Sequence, residues 1–262
     1  MRRTENEIPR DRWGRPKIEG KSYTRASTLA GYLDDTSGLT RWKLKMAILG
    51  LSRSPELMAL ASTTRADDSA ALADIVERAH ERAGANEGRD LGTAIHQGTE
   101  IYDFGLSTDV LPWQVRNAVR GYAALLEQES VEAVLAETFV LNDPISTAGS
   151  LDRIIWDVET NEYRVMDIKT GKETDPKKAA RFSGLSWAIQ MSIYAHGEPW
   201  DGKRLEWRDL SIDPPKTDRG LVVYINRESG QCWPIWVDLV KGWEAAQLAA
   251  QVRDMRKAKV TL

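Results

Sequence analysis

The chain changes its hydrophobic rhythm twice. From Thr24 onward, Leu29, Leu33, Trp42, Met46 and Leu49 recur at three- and four-residue spacing, which predicts helices. Ser54-Pro55-Glu56 reads as a helix start with proline in the first turn, and the alanine-rich residues 70–83 are closed by Gly84. Residues 86–104 form the next helix, with Leu91, Ile95 and Tyr102 as its apolar stripe and Gly105 as terminator; residues 112–129 form another. The rhythm then becomes strand-like over 134–141, and again over STAGSLDRIIWDV and EYRVMDIKT, which flank the turn Glu159-Thr160-Asn161-Glu162. Helical spacing returns over 179–196 through Phe182, Leu185, Ile189 and Ile193, with Gly197 as the stop. A second hairpin of residues 221–226 and 233–239 around Glu228-Ser229-Gly230 follows, then a final helix from Val240. Residues 1–21 show no period and read as an irregular basic arm carrying Arg2, Arg3, Arg10, Arg12, Arg15, Lys17 and Lys21. The expected order is therefore an arm (1–21), an α-helical region (22–130) and an α/β region (131–262), the last two packed as one compact unit.

The hairpin concentrates chemistry. A turn centred near Thr160 sets Asp152 and Asp167 opposite each other or one step apart, and alternation puts Lys169 on the face of Asp167. Two carboxylates about 5 Å apart repel by roughly 3 kcal/mol at an effective dielectric of about 20. A divalent cation relieves that repulsion: Mg²⁺ or Mn²⁺ takes carboxylate oxygens, keeps several waters and makes one of them a nucleophile suited to phosphodiesters. Lys169 could orient or deprotonate that water, or neutralise charge growing on the phosphate. A solvated hairpin in which Asp and Lys merely pair accounts for the same letters. Gln190 and Tyr194, at i and i+4, lie one turn apart on a helix flank and could bond phosphate oxygens or the amine; an amphipathic helix flank is the plainer alternative. His96 falls off the apolar stripe of its helix, one turn after Gly92, so it is either a ligand or a surface residue. His80 has no comparable surroundings, and His196 sits where a helix C-terminus favours a cation.

In order, Gly92-Thr93-Ala94-Ile95-His96, Gly149-Ser150-Leu151-Asp152, Asp167-Ile168-Lys169-Thr170-Gly171-Lys172 and Gln190-Met191-Ser192-Ile193-Tyr194 resemble the motifs of the RecB-like branch of the PD-(D/E)XK nucleases, over about residues 86–240. That branch includes bacterial recombination nucleases, CRISPR-associated exonucleases and phage exonucleases. The resemblance implies an α/β fold with a restriction-endonuclease-like core, its mixed central sheet flanked by helices. It implies that His96, Asp152, Asp167 and the main-chain carbonyl of Ile168 bind Mg²⁺ or Mn²⁺, with Lys169 the catalytic lysine and Gln190 and Tyr194 completing the site. Glu137 stands where many relatives carry an accessory acid. Several relatives hold an iron–sulfur cluster on four cysteines; this chain has only Cys232, which excludes such a cluster. The implied activity is hydrolysis of DNA from its ends, including single-stranded tails, in phage recombination or repair, leaving 5′-phosphate and 3′-hydroxyl products.

Composition narrows this further. The 262 residues carry a net charge of −3, which argues against a generally basic DNA coat but leaves room for a local basic track, here Lys172, Lys177, Lys178 and Arg181. A single cysteine fits a reducing cytoplasm, and neither a membrane-length apolar run nor a signal-peptide core is expected. Residues 197–219 read as a polar loop with Pro199, Pro214 and Pro215, a candidate flap; Trp187, Trp200 and Trp207 could stack on bases or lie in the core. The tip of the last helix, Arg253, Arg256, Lys257 and Lys259, could reach DNA or stay solvated. No nucleotide-binding Gly-Lys-Ser/Thr loop occurs, so processive digestion would call for a helicase or recombinase partner or a ring-shaped homo-oligomer. Two other readings use the same residues: a structure-selective endonuclease for junctions or flaps, and a non-cleaving DNA-end-binding module.

Overall fold

The computed structural model describes residues 8–258, apart from the side chain of Phe182. The expectations for Arg2, Arg3, Lys259 and the Phe182 side chain lie outside the described residues. The chain divides into two compact units, the described residues of Met1–Asp34 with Ile95–Leu262, and Asp35–Ala94.

In the second unit, helices α2 (Ser37–Ser52), α3 (Pro55–Thr63) and α4 (Ser69–Arg82) pack around Leu57, Ile75 and Ala79. Proline opens α3 in its first turn, and Asp68 caps α4 by accepting from the Ala71 N–H. The crossing of α2 and α4 needs Gly50: a Cβ there would meet the Ala79 carbonyl oxygen at 1.8 Å. Helix α5 (Glu87–Asp103) belongs to the first unit from Ile95 on.

The first unit is built on one seven-stranded mixed sheet. A two-stranded ribbon of β1 (Lys17–Ile18) and β2 (Lys21–Ser22) precedes it; its first strand, β3 (Thr24–Arg25), leads into the short helix α1 (Ala26–Ala30). After α6 (Trp113–Gln128), strands β4 (Val131–Asn142), β5 (Thr147–Asp157) and β6 (Glu162–Gly171) form an antiparallel meander. Helix α7 (Pro176–Ala195) crosses to the edge strand β7 (Glu198–Pro199); β8 (Arg219–Asn226), β9 (Cys232–Asp238) and α8 (Leu239–Lys257) complete the chain. The sheet order is β7-β4-β5-β6-β8-β9, with β3 parallel to β5 and β6 parallel to β8. Among the described residues no helix is long and apolar enough to cross a membrane.

The main core lies between one sheet face and α7, α8 and α1, through Leu151, Ile154, Val165, Ile189, Ile193, Val222 and Leu239. A second cluster joins Ile8, Ile18 and Tyr23 to Phe139, Leu141 and Trp200. The hydrophobic rhythm predicts the run of helices and strands, and their assembly is the α/β fold with a mixed, helix-flanked sheet that the resemblance implies. Several local expectations are corrected. Leu185 is half exposed, although Ile189 and Ile193 on the same flank are buried: the core covers only the C-terminal part of that stripe. Arg253 is buried, donating to the Ile145 carbonyl at 2.8 Å and to Asp254, so it joins no exposed basic tip. Of the two readings of Trp187, Trp200 and Trp207, core burial holds; the Trp207 indole donates to the Gly197 carbonyl at 3.0 Å, pinning a 3-10 turn (Trp207–Leu210) inside the stretch read as a flap.

Candidate active site

The bonded rungs of β5 and β6 run from Asp157–Glu162 to Arg153–Met166, and the next rung in that register pairs Asp152 with Asp167. There the ladder stops. The Asp152 carboxylate takes the Ile168 N–H at 2.7 Å, a hydrogen bond that a neighbouring strand would otherwise satisfy. On its other side β5 pairs with β4 at Arg153–Ala136 and Leu151–Thr138 but skips the rung between them. Glu137 occupies that gap with a left-handed backbone, φ 47°, a conformation that costs a glutamate about 1–3 kcal/mol. Asp152 thus sits where the sheet is interrupted on both sides, and a side chain can leave the pleat.

Residues from three other segments converge there. His96 Nδ1 on α5 lies 3.6 Å from Asp152 Oδ2. Lys169 Nζ lies 2.6 Å from Asp167 Oδ2 and donates to Gln190 Oε1 at 3.4 Å. Gln190 Nε2 donates to the Tyr194 hydroxyl at 3.3 Å. The i, i+4 spacing on α7 therefore forms one flank of the site. Gly149 makes room for it, since a Cβ there would stand 2.8 Å from the Tyr194 hydroxyl.

Electrostatics follow from burial. Asp167 is 2% exposed, and desolvation raises its pKa to about 7, with Asp152 adding to the rise and Lys169 opposing it. Burial acts to lower the Lys169 pKa, but the two carboxylates outweigh it and hold the ammonium above its ordinary value. His96 is lowered, chiefly by burial and further by Lys169 and Arg153, against the pull of Asp152. Its imidazole is therefore neutral at pH 7, the form a metal ligand requires.

The donor set fits a hard divalent cation. Asp167 Oδ2 is buried without a hydrogen-bond partner, because its approach to Lys169 is a close ion pair off hydrogen-bond geometry. Among the described residues no three His, Cys, Asp or Glu side chains already form a closed cage. Two carboxylates and a carbonyl are what Mg²⁺ accepts while keeping several waters.

Not every expected residue joins this group. Glu137 leans to Arg153, with Oε1 3.6 Å from Nη1. Lys172 pairs with Glu228 at 3.1 Å, and Lys177, Lys178 and Arg181 are exposed along the first turns of α7. At 1.5 Å per residue, the last three lie roughly 13–20 Å along the helix axis from Gln190. Sequence reasoning passed over Arg153, Asp103, Thr99 and Tyr122, which form a buried polar network beneath Asp152. A signal is present: Arg153 is a cation set directly between Leu151-Asp152 and the apolar run Ile154-Ile155-Trp156, and Asp103 follows His96 by seven residues, on the same helix face.

Among curated proteins no sequence matches the chain. Of solved structures, the crystal structure of SSO0001 is 14% identical, covering 62% of this chain and 71% of that one, with a TM-score of 0.27, too low to carry an argument. A family model described as the PD-(D/E)XK nuclease superfamily matches residues 59–198, more than half the chain. That stretch holds His96, the interrupted rung of Asp152 and Asp167, Lys169, Gln190 and Tyr194, and by this match the chain belongs to the PD-(D/E)XK nuclease superfamily.

Proposed function

We propose that this chain is a divalent-metal-dependent deoxyribonuclease of the RecB-like branch, acting as an exonuclease on DNA ends in recombination or repair. The observation that carries the reading is the interrupted rung: Asp152 turns out of the ladder to the Ile168 N–H, beside Asp167 and Lys169 and against the Gln190–Tyr194 flank. His96, Asp152, Asp167 and the Ile168 carbonyl would hold Mg²⁺ or Mn²⁺. When bound, such an ion polarises a phosphoryl oxygen and lowers the pKa of water. Lys169 Nζ, between Asp167 and Gln190, is placed to orient the attacking water or to neutralise charge on the phosphate. Gln190 fixes the lysine and is itself tied to Tyr194, so the ammonium needs little reorganisation as charge develops. Lys172, Lys177, Lys178 and Arg181 would hold phosphates of the strand without reading its sequence. The order of motifs along the chain supports the RecB-like assignment, and with it a helicase or recombinase partner, or a ring of copies, for long digestion.

Digestion of linear and covalently closed DNA in Mg²⁺ or Mn²⁺ tests this. Loss of linear DNA, with plain and junction-bearing circles left intact, is the expected result. Cleavage of closed circles would replace the exonuclease with an endonuclease, and no metal-dependent cleavage of any DNA would leave only end binding.

A further inference from the structure

The most deeply buried charge beneath the site is Arg153, 1% exposed. Its Nε donates to Asp103 Oδ2 at 2.5 Å, its Nη1 to the main-chain carbonyl of Asp152 at 2.7 Å, and its Nη2 to Thr99 Oγ1 at 3.3 Å. The Tyr122 hydroxyl, from α6, meets both oxygens of Asp103 at 3.1 Å and fixes that carboxylate. Thr99 in turn donates to the His96 carbonyl at 2.8 Å. His96, Thr99 and Asp103 stand at i, i+3 and i+7 on α5, so the helix face that carries the histidine is the face the guanidinium grips.

Stability alone is a poor account of this arrangement. Taking two ions out of water costs several kcal/mol each, and an apolar pair of equal volume serves a core as well or better. A guanidinium does what such a pair could not: its planar fork spans a helix and a strand in fixed geometry. It joins α5, which carries His96, to the residue that carries the facing carboxylate, and its Nη1 also lies 3.6 Å from Glu137 on β4. One side chain thus bonds both the helix of His96 and the main chain of Asp152, the two residues that approach to 3.6 Å.

We propose that Arg153, held by Asp103 and Tyr122, is a positioning residue that fixes the spacing of His96 and Asp152 and thereby the site's affinity for a divalent cation. This rests on the reading of His96 and Asp152 as ligands. Lysine cannot replace the arginine, since one ammonium cannot reach Asp103, Thr99 and the Asp152 carbonyl together.

Mn²⁺ affinity, measured by calorimetric titration in the absence of DNA, gives a readout independent of activity. Arg153→Lys and Tyr122→Phe are compared with wild type, each alone and combined with His96→Ala, after metal-free melting curves confirm folding. Removing a residue that orients a metal ligand typically weakens binding about 10- to 100-fold. A loss in that range is expected for Arg153→Lys and a smaller one for Tyr122→Phe. In the His96→Ala background both losses should shrink to within about twofold, because no histidine remains to be placed. Equal losses in both backgrounds, or unchanged affinity in the folded variants, would overturn the proposal. If Arg153→Lys does not fold, Tyr122→Phe, which removes one hydroxyl, decides by the same comparison. Failure of the wild type to bind Mn²⁺ would instead bring down the metal site itself, and this inference with it.

Discussion

Asp152 accepts the Ile168 N–H through its side chain, 2.7 Å away, at the place where a main-chain rung of the β5–β6 ladder would otherwise continue. The consequence reaches beyond one bond. A strand pair that stops bonding through its backbone frees a carboxylate, a carbonyl and the next residue's side chain to face one point. The sheet's interruption and the candidate site coincide.

Gly149 supports that feature from the same strand. Gly149→Ala places a methyl 2.8 Å from the Tyr194 hydroxyl, which must shift away from Gln190. The expected outcome is a loss of DNA hydrolysis of about tenfold or more, in line with the cost of a small misplacement, together with a lower melting temperature. Adding Tyr194→Phe removes the clashing oxygen and should recover stability but not activity, as paired melting curves and initial rates would register.

A bound cation should stabilise the fold. Two acids held together lose their repulsion, so millimolar Mn²⁺ raises the melting temperature by binding the folded state preferentially, about 2.7 kcal/mol at 100 times the dissociation constant. Asp152→Asn blunts the rise. Scanning calorimetry with and without Mn²⁺ measures both, and no shift in the wild type would contradict a preformed site.

The basic turns of α7 make a separate prediction. Each phosphate that a cation ceases to neutralise lowers the slope of log affinity against log salt by about 1. Replacing Lys177, Lys178 and Arg181 with glutamine should therefore flatten that slope and weaken DNA binding regardless of sequence, as salt titrations of a labelled duplex would register. An unchanged slope would place the DNA elsewhere.

Much of this was legible in the sequence because it rests on local rules. The turn Glu159–Glu162 fixes the register of β5 and β6, and with it the facing of Asp152 and Asp167. Spacing on α7 stacks Gln190 under Tyr194. What could not be read depends on distant partners. Glu137 adopts a positive φ for which its own letters give no sign, and the buried Arg253 donates its hydrogen bond to a carbonyl 108 residues away. Trp200 and Trp207 sit in a proline-rich polar stretch, yet both fold into cores supplied by other segments.

Asp143 gives a pH-dependent handle far from the chemistry. The Tyr23 hydroxyl, Arg204 and Lys21 bond its carboxylate and lower its pKa to about 2. A depressed carboxylate stabilises the fold above the unfolded value, about 3.9, and loses that contribution as pH falls toward 2. The group is 41% exposed, so solvent screening limits its worth to about 1 kcal/mol or less. Asp143→Asn should melt below wild type at pH 6, and the gap should close between about pH 4 and pH 2.

The central claim, that Lys169 works beside Asp152 and Asp167 on a metal-assisted cut, is tested most directly by the rate of Mn²⁺-dependent digestion of linear DNA by wild type and Lys169→Ala, with Mn²⁺ affinity measured on both. The account predicts a rate lower by about 10²- to 10⁴-fold in the variant while Mn²⁺ still binds. Equal rates from the two proteins would contradict it.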